Sequence, residues 1–116
     1  MRTMLKRLGG AALIVGFVFA PLSAEAGRGL YSKQGSDYSY DYEYSYKIQI
    51  SDREDDGHGV RVEYKMTKGG ESRHLYNYNG VNTSKYESLN TFPRAHRAIE
   101  ILNNRPDAYG DWMYPT

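Results

Sequence analysis

The chain has 116 residues, no cysteine, one tryptophan and twelve tyrosines, and its basic and acidic residues nearly cancel. That length holds one small domain, and the lack of cysteine excludes disulfide staples, thiolate metal ligands and a thiol nucleophile. The near-neutral charge argues against nucleic acid as a partner, because phosphate neutralisation needs clustered positive charge.

In chain order, residues 1–26 read as a secretory signal. Arg2, Lys6 and Arg7 form a basic front, Leu8 to Ala20 an apolar run, and Ala24-Glu25-Ala26 a small-residue cleavage pattern, with the cut between Ala26 and Gly27. The alternative is an uncleaved membrane anchor, but the run falls short of the ~20 apolar residues that span a bilayer and is interrupted by Pro21, Ser23 and Glu25. A secreted product, extracellular or periplasmic and without membrane attachment after cleavage, is therefore expected. Once the leader is removed, acids slightly exceed bases.

Glycine-rich residues 27–37 are expected to form a flexible lead-in to a β domain over 38–116. From Tyr38 to Ser51 the chain alternates without a break. Tyr38, Tyr40, Tyr42, Tyr44, Tyr46, Ile48 and Ile50 share one face, and the residues between them are polar. A period of two predicts one long strand, its pairing starting near Tyr42 or Tyr44. Asp52 to Gly59 reads as a hairpin loop leading to a second alternating strand, Val60 to Thr67. Lys68 to Glu71 reverses the chain into a third strand over Arg73 to Tyr78. Asn79-Gly80 is a turn signal before a fourth strand, Thr83 to Leu89. Pro93 to Asn104 is legible as strand or as short helix, with strand preferred. Trp112, near the end, is expected to close the core.

Candidate chemistry is sparse. Asp52, Glu54, Asp56, Gly57 and Glu63 fit the spacing of an EF-hand loop, but strands rather than helices flank them and Gly59 stands where an apolar residue ties such a loop down. The expectation is a solvated acidic hairpin, with no metal and no cofactor. His58, His74 and His96 sit in no catalytic motif, and no catalytic residue is assigned. A sheet that gathered His74, Glu63 and Arg97 would supply the ingredients of a small hydrolase or nuclease. Arg94, His96 and Arg97 read as a solvated basic face. The tyrosines are different: a small core cannot satisfy so many hydroxyls, so part of the row is expected at the surface as a binding face, with Tyr38, Tyr40, Tyr42 and Tyr44 as its candidate residues.

The stretch Asp56-Gly57-His58-Gly59-Val60-Arg61-Val62-Glu63-Tyr64, then Leu75-Tyr76-Asn77, Arg97-Ala98-Ile99, Pro106-Asp107 and Trp112, resembles a group of small exported β-sandwich proteins of actinobacteria. This chain lacks the two cysteines that members often carry around the last strand and tail. The resemblance implies an all-β fold, a small antiparallel β-sandwich or meander of about five to seven strands. The function expected from the residues is a non-catalytic secreted domain that binds an extracellular glycan or protein. A small hydrolase or nuclease, and an enzyme inhibitor or bacteriocin-like protein, are the alternatives.

Overall fold

Every regular element among the described residues, 27–115 of this computed structural model, is a β-strand; the signal segment expected over 1–26 lies outside them. The strands are β1 (Tyr31–Gln34), β2 (Asp37–Asp41), β3 (Lys47–Asp52), β4 (Val60–Lys65), β5 (Ser72–Asn77), β6 (Thr83–Ser88), β7 (Ala95–Glu100) and β8 (Ala108–Tyr109). They form two four-stranded antiparallel sheets, ordered β1-β2-β3-β6 and β5-β4-β7-β8, and so a small β-sandwich of eight strands.

The most apolar strands, β3 and β4, lie inside different sheets. Had they paired in one hairpin, their isoleucines and valines would lie side by side on one face. In opposite sheets the two faces meet, and Ile48 and Ile50 pack with Val60, Val62, Tyr64 and Ala98, with Met66, Leu75 and Leu89 at the margin. Each such aliphatic side chain contributes ~1.5–3 kcal/mol on burial. Tyr64 keeps its hydroxyl satisfied by donating to Glu87 Oε1 across the sandwich at 3.0 Å. Burial, then Glu87, pushes its pKa up to about 12.

This arrangement corrects two expectations. Residues 53–59 are not a hairpin loop but a crossing between sheets, since β3 pairs with β6 and β4 with β5 and β7. The Asn79-Gly80 turn likewise crosses from β5 to β6. The expected single strand from Tyr38 to Ser51 is also broken, by a turn over 42–46 that separates β2 from β3. In the β2–β3 pairing Tyr38 faces Ser51 and Tyr40 faces Gln49, so even-numbered residues of β2 share a side with odd-numbered residues of β3. The tyrosines of β2 therefore point away from the side on which Ile48 and Ile50 are buried.

Residues 31–34, expected in the lead-in, form β1 and pair with β2. Pro93 to Asn104 contains the strand β7, as preferred. Trp112 does not close the core. It is half-buried, 4.5 Å from the Arg97 guanidinium and 5.5 Å from Lys65 Nζ.

Candidate functional site

On the solvent side of the first sheet, pairing sets Tyr31 beside Tyr40 and Tyr40 beside Gln49, which in turn faces Tyr86. Tyr31 stacks on Tyr40 (4.5 Å between centroids) and meets Tyr38 edge-on at 5.1 Å. Tyr40 meets Tyr42 at 4.9 Å, and Tyr42 approaches Tyr86 at 6.2 Å. Five rings thus touch in one continuous row. Beneath them Tyr42 donates to Gln49 Oε1 (2.6 Å), Gln49 Nε2 donates to Ser51 Oγ (2.6 Å), and Ser51 and Ser84 share a hydrogen bond. These polar contacts fix Tyr42 from below, and Gln49 and Ser51 are themselves buried. Lys47 lies within 6 Å of the Tyr42 and Tyr86 rings, and Arg53 lies 5.8 Å from Tyr38. Burial, and then the neighbouring Tyr86, pushes the Tyr42 phenol up to about 12. Hydrogen bonds from Ser51 and Arg53 hold Tyr38 below its ordinary value.

Of the four tyrosines expected to form a binding face, Tyr38, Tyr40 and Tyr42 lie together in this row. Tyr44 does not join it, because it stands in the 42–46 turn and is 88% exposed. Tyr31 and Tyr86, 55% exposed in the latter case, complete the row and were missed. The alternation over Thr83 to Leu89 carried the signal for Tyr86, whereas Tyr31 sat in the segment read as a lead-in.

The inward side of β2 is polar. Ser39, Asp41 and His96 are all fully buried, with Ser39 Oγ 2.7 Å from His96 Nδ1 and Asp41 Oδ1 2.8 Å from His96 Nε2. Asp41 also accepts from the backbone N–H groups of Gly29 and Leu30. With Nε2–H donated to the aspartate, Nδ1 accepts the Ser39 hydroxyl proton. A serine, a histidine and an aspartate in line have the connectivity of a nucleophilic triad, but no substrate reaches a serine of zero exposure, so the cluster joins the sheets instead. His96 accordingly does not belong to the solvated basic face expected of it.

The pairing of β4 with β5 and β7 brings Glu63 directly opposite both His74 and Arg97, the three residues considered for hydrolysis. Their contacts neutralise them. Arg97 Nε donates to Glu63 Oε1 at 2.9 Å, Ser72 Oγ donates to Glu63 Oε2, and Arg61 donates to His74 Nδ1 at 2.8 Å. Burial alone would raise the Glu63 pKa, but Ser72 and Arg97 hold it below the ordinary carboxylate value. Desolvation and Arg61 depress His74. A base tied by two donors and a histidine facing a guanidinium make a structural row rather than an acid–base pair.

At one end of the sandwich, acids from three places converge: Asp37 opens β2, Glu54 and Asp56 lie in the crossing loop, and Glu100 ends β7. One carboxylate oxygen from each lies within 4.8 Å of the others. His58 Nδ1 stands 2.9 Å from Glu100 Oε2 and 3.7 Å from Asp56 Oδ2. Burial, reinforced by Glu54 and Asp52, pushes the Asp37 pKa up to about 7. Glu63, the twelfth-position acid of the EF-hand spacing, is held by Arg97 instead. At the opposite end, Lys65, Lys68 and Arg94 line a cleft of about 400 Å³ with Trp112 and Tyr114. Comparison with protein-family models, with curated proteins and with solved structures found no match.

Proposed function

We propose that this chain is an exported, non-catalytic binding domain that takes an extracellular glycan on its tyrosine-faced sheet. The observation that carries this reading is the continuous row of Tyr31, Tyr38, Tyr40, Tyr42 and Tyr86 on the solvent side of the sheet, exposed at Tyr31 and Tyr86 and half-buried between, with Tyr42 held from below by Gln49. Rings already fixed lose little side-chain entropy on binding, and tyrosine offers both a face for a sugar ring and a hydroxyl for its polar edge. The leader features of residues 1–26 support placement outside the cell.

The test compares Tyr40→Ala and Tyr42→Ala with Tyr64→Ala in denaturant melts and in co-sedimentation with insoluble cell-wall polysaccharide. Tyr40→Ala is expected to cost under ~1 kcal/mol, as surface changes do, and Tyr42→Ala ~1–3 kcal/mol because it leaves the buried Gln49 Oε1 unpaired; both are expected to abolish sedimentation. Tyr64→Ala is expected to lose ~3–5 kcal/mol. Sedimentation unaffected by Tyr40→Ala and Tyr42→Ala sinks the proposal. Hydrolysis of the polysaccharide or of RNA, lost in Glu63→Gln, would replace it with the enzyme reading.

A further inference from the structure

We propose that Asp37, Glu54, Asp56 and Glu100 form a binding site for a divalent cation of the oxygen-preferring class, calcium being an ion whose size fits. Two oxygens on one calcium ion stand no further apart than twice the Ca–O distance of 2.3–2.6 Å, a limit of about 5 Å. The four carboxylate oxygens lie within 4.8 Å of one another, inside that limit.

A second observation, independent of the crowding of acids, points to a ligand. Asp37 is only 1% exposed, and while its Oδ1 accepts from the Arg53 N–H at 2.7 Å, its Oδ2 has no hydrogen-bond partner. A buried carboxylate oxygen left without a partner bears its full desolvation penalty with nothing to offset it, so native folds rarely keep one for nothing. Nearby cations do not relieve it. Arg53 turns its guanidinium to Tyr38, and His58 engages Asp56 and Glu100 at the other side of the group.

The surrounding backbone is already arranged for an ion. Glu54 Oε2 accepts from the Ser36 N–H at 2.9 Å, Asp56 Oδ1 from the His58 N–H at 3.0 Å, and Asp52 Oδ1 from the Glu54 N–H at 3.2 Å. Each bond holds one oxygen of its carboxylate, orients the other, and stiffens the loop that carries the ligands. His58 holds Glu100 in the same way, the part an outer-shell histidine or carboxylate plays in known metal sites. Asp56 is exposed and Glu54 partly so, which leaves a path for the ion and room for water to complete the six to eight oxygens calcium takes. The proposed site departs from the expectation of a merely solvated acidic hairpin. Its ligands are not those of the linear EF-hand spacing, since Asp37 and Glu100 come from other strands and Glu63 takes no part.

The experiment is calorimetric titration of metal-stripped protein with calcium chloride, and separately with magnesium chloride, beside thermal melts with and without calcium. Expected is saturable binding of one calcium with Kd on the order of 10⁻⁵–10⁻³ M, the range of weaker sensor and extracellular modules, and a higher melting temperature in calcium. Asp56→Asn and Glu100→Gln should each weaken binding at least about tenfold, while Glu63→Gln leaves it unchanged. Asp56 is exposed, so its variant keeps the test decisive if Asp37→Asn fails to fold. No saturable heat and no shift in melting up to about 10 mM calcium would overturn the proposal. So would undiminished binding in both Asp56→Asn and Glu100→Gln, or loss of binding in Glu63→Gln. Tighter binding of magnesium than of calcium would overturn the assignment of the ion.

Discussion

Ser39, Asp41 and His96 occupy core volume that an all-apolar sandwich would fill with aliphatic side chains, and their cost is met only while every partner is present. Removing one member of a buried, hydrogen-bonded pair leaves the other desolvated and unpaired, a loss of ~3–5 kcal/mol. His96→Ala and Asp41→Ala are therefore each expected to destabilise the fold by that order in urea melts. In the double variant the two losses should not add, because both break the same contact. Additive losses would show that Asp41 acts chiefly through the Gly29 and Leu30 N–H groups it also accepts. None of this was legible in sequence. Ser39 and Asp41 are small and polar, and beside tyrosines such residues read as the wet side of a strand. Only the partner strands show that the larger residues face water.

At the scale of elements, strand positions were largely readable because alternation reports one-sided burial, as in Val60 to Tyr64. Partners were not readable. Two alternating runs joined by a short polar loop read equally well as a hairpin or as a crossing between sheets, and 53–59 is the latter, with β3 between β2 and β6 and β4 between β5 and β7. The same limit hid the acidic group, half of whose ligands come from β2 and β7. The tail after β8 shows how the remaining side of the sandwich closes. Gly110 N donates to Ala98 O at 2.8 Å, and Ser32 Oγ donates to Asp111 O and accepts from Ala98 N. A Cβ at position 110 would stand 2.5 Å from the backbone oxygen of Lys33 and 3.1 Å from that of Ala98. Gly110→Ala should thus push β1 and β7 apart and cost ~1–3 kcal/mol, the range for overpacking. A melting temperature equal to that of the unaltered protein would show that the tail is not docked there.

For the whole molecule, acids gather at one end and Lys65, Lys68 and Arg94 at the other, so the near-neutral total hides a division of charge along the strands. Between the ends, Arg61 pairs with Asp107 at 3.0 Å, and that pairing holds the Asp107 pKa below its ordinary value of 3.8. A folded pKa below the unfolded one adds stability above the unfolded value that is lost as pH falls through the folded value. The stability difference between the unaltered protein and Asp107→Asn should accordingly shrink as pH drops from about 5 to about 3. Urea midpoints of both proteins across that interval measure it, and a constant difference would show that the pairing is not electrostatic. The connectivity has a consequence for when this fold can exist at all. β4 waits for β7, β3 waits for β6, and the buried histidine that holds β2 arrives only at position 96. A chain delivered from its amino end, by a ribosome or through a translocation channel, stays without a finished core until most of its length has emerged. It then folds with a majority of its close contacts distant in sequence, the regime of slow, cooperative closure. Such a chain remains threadable through a narrow pore for as long as threading lasts.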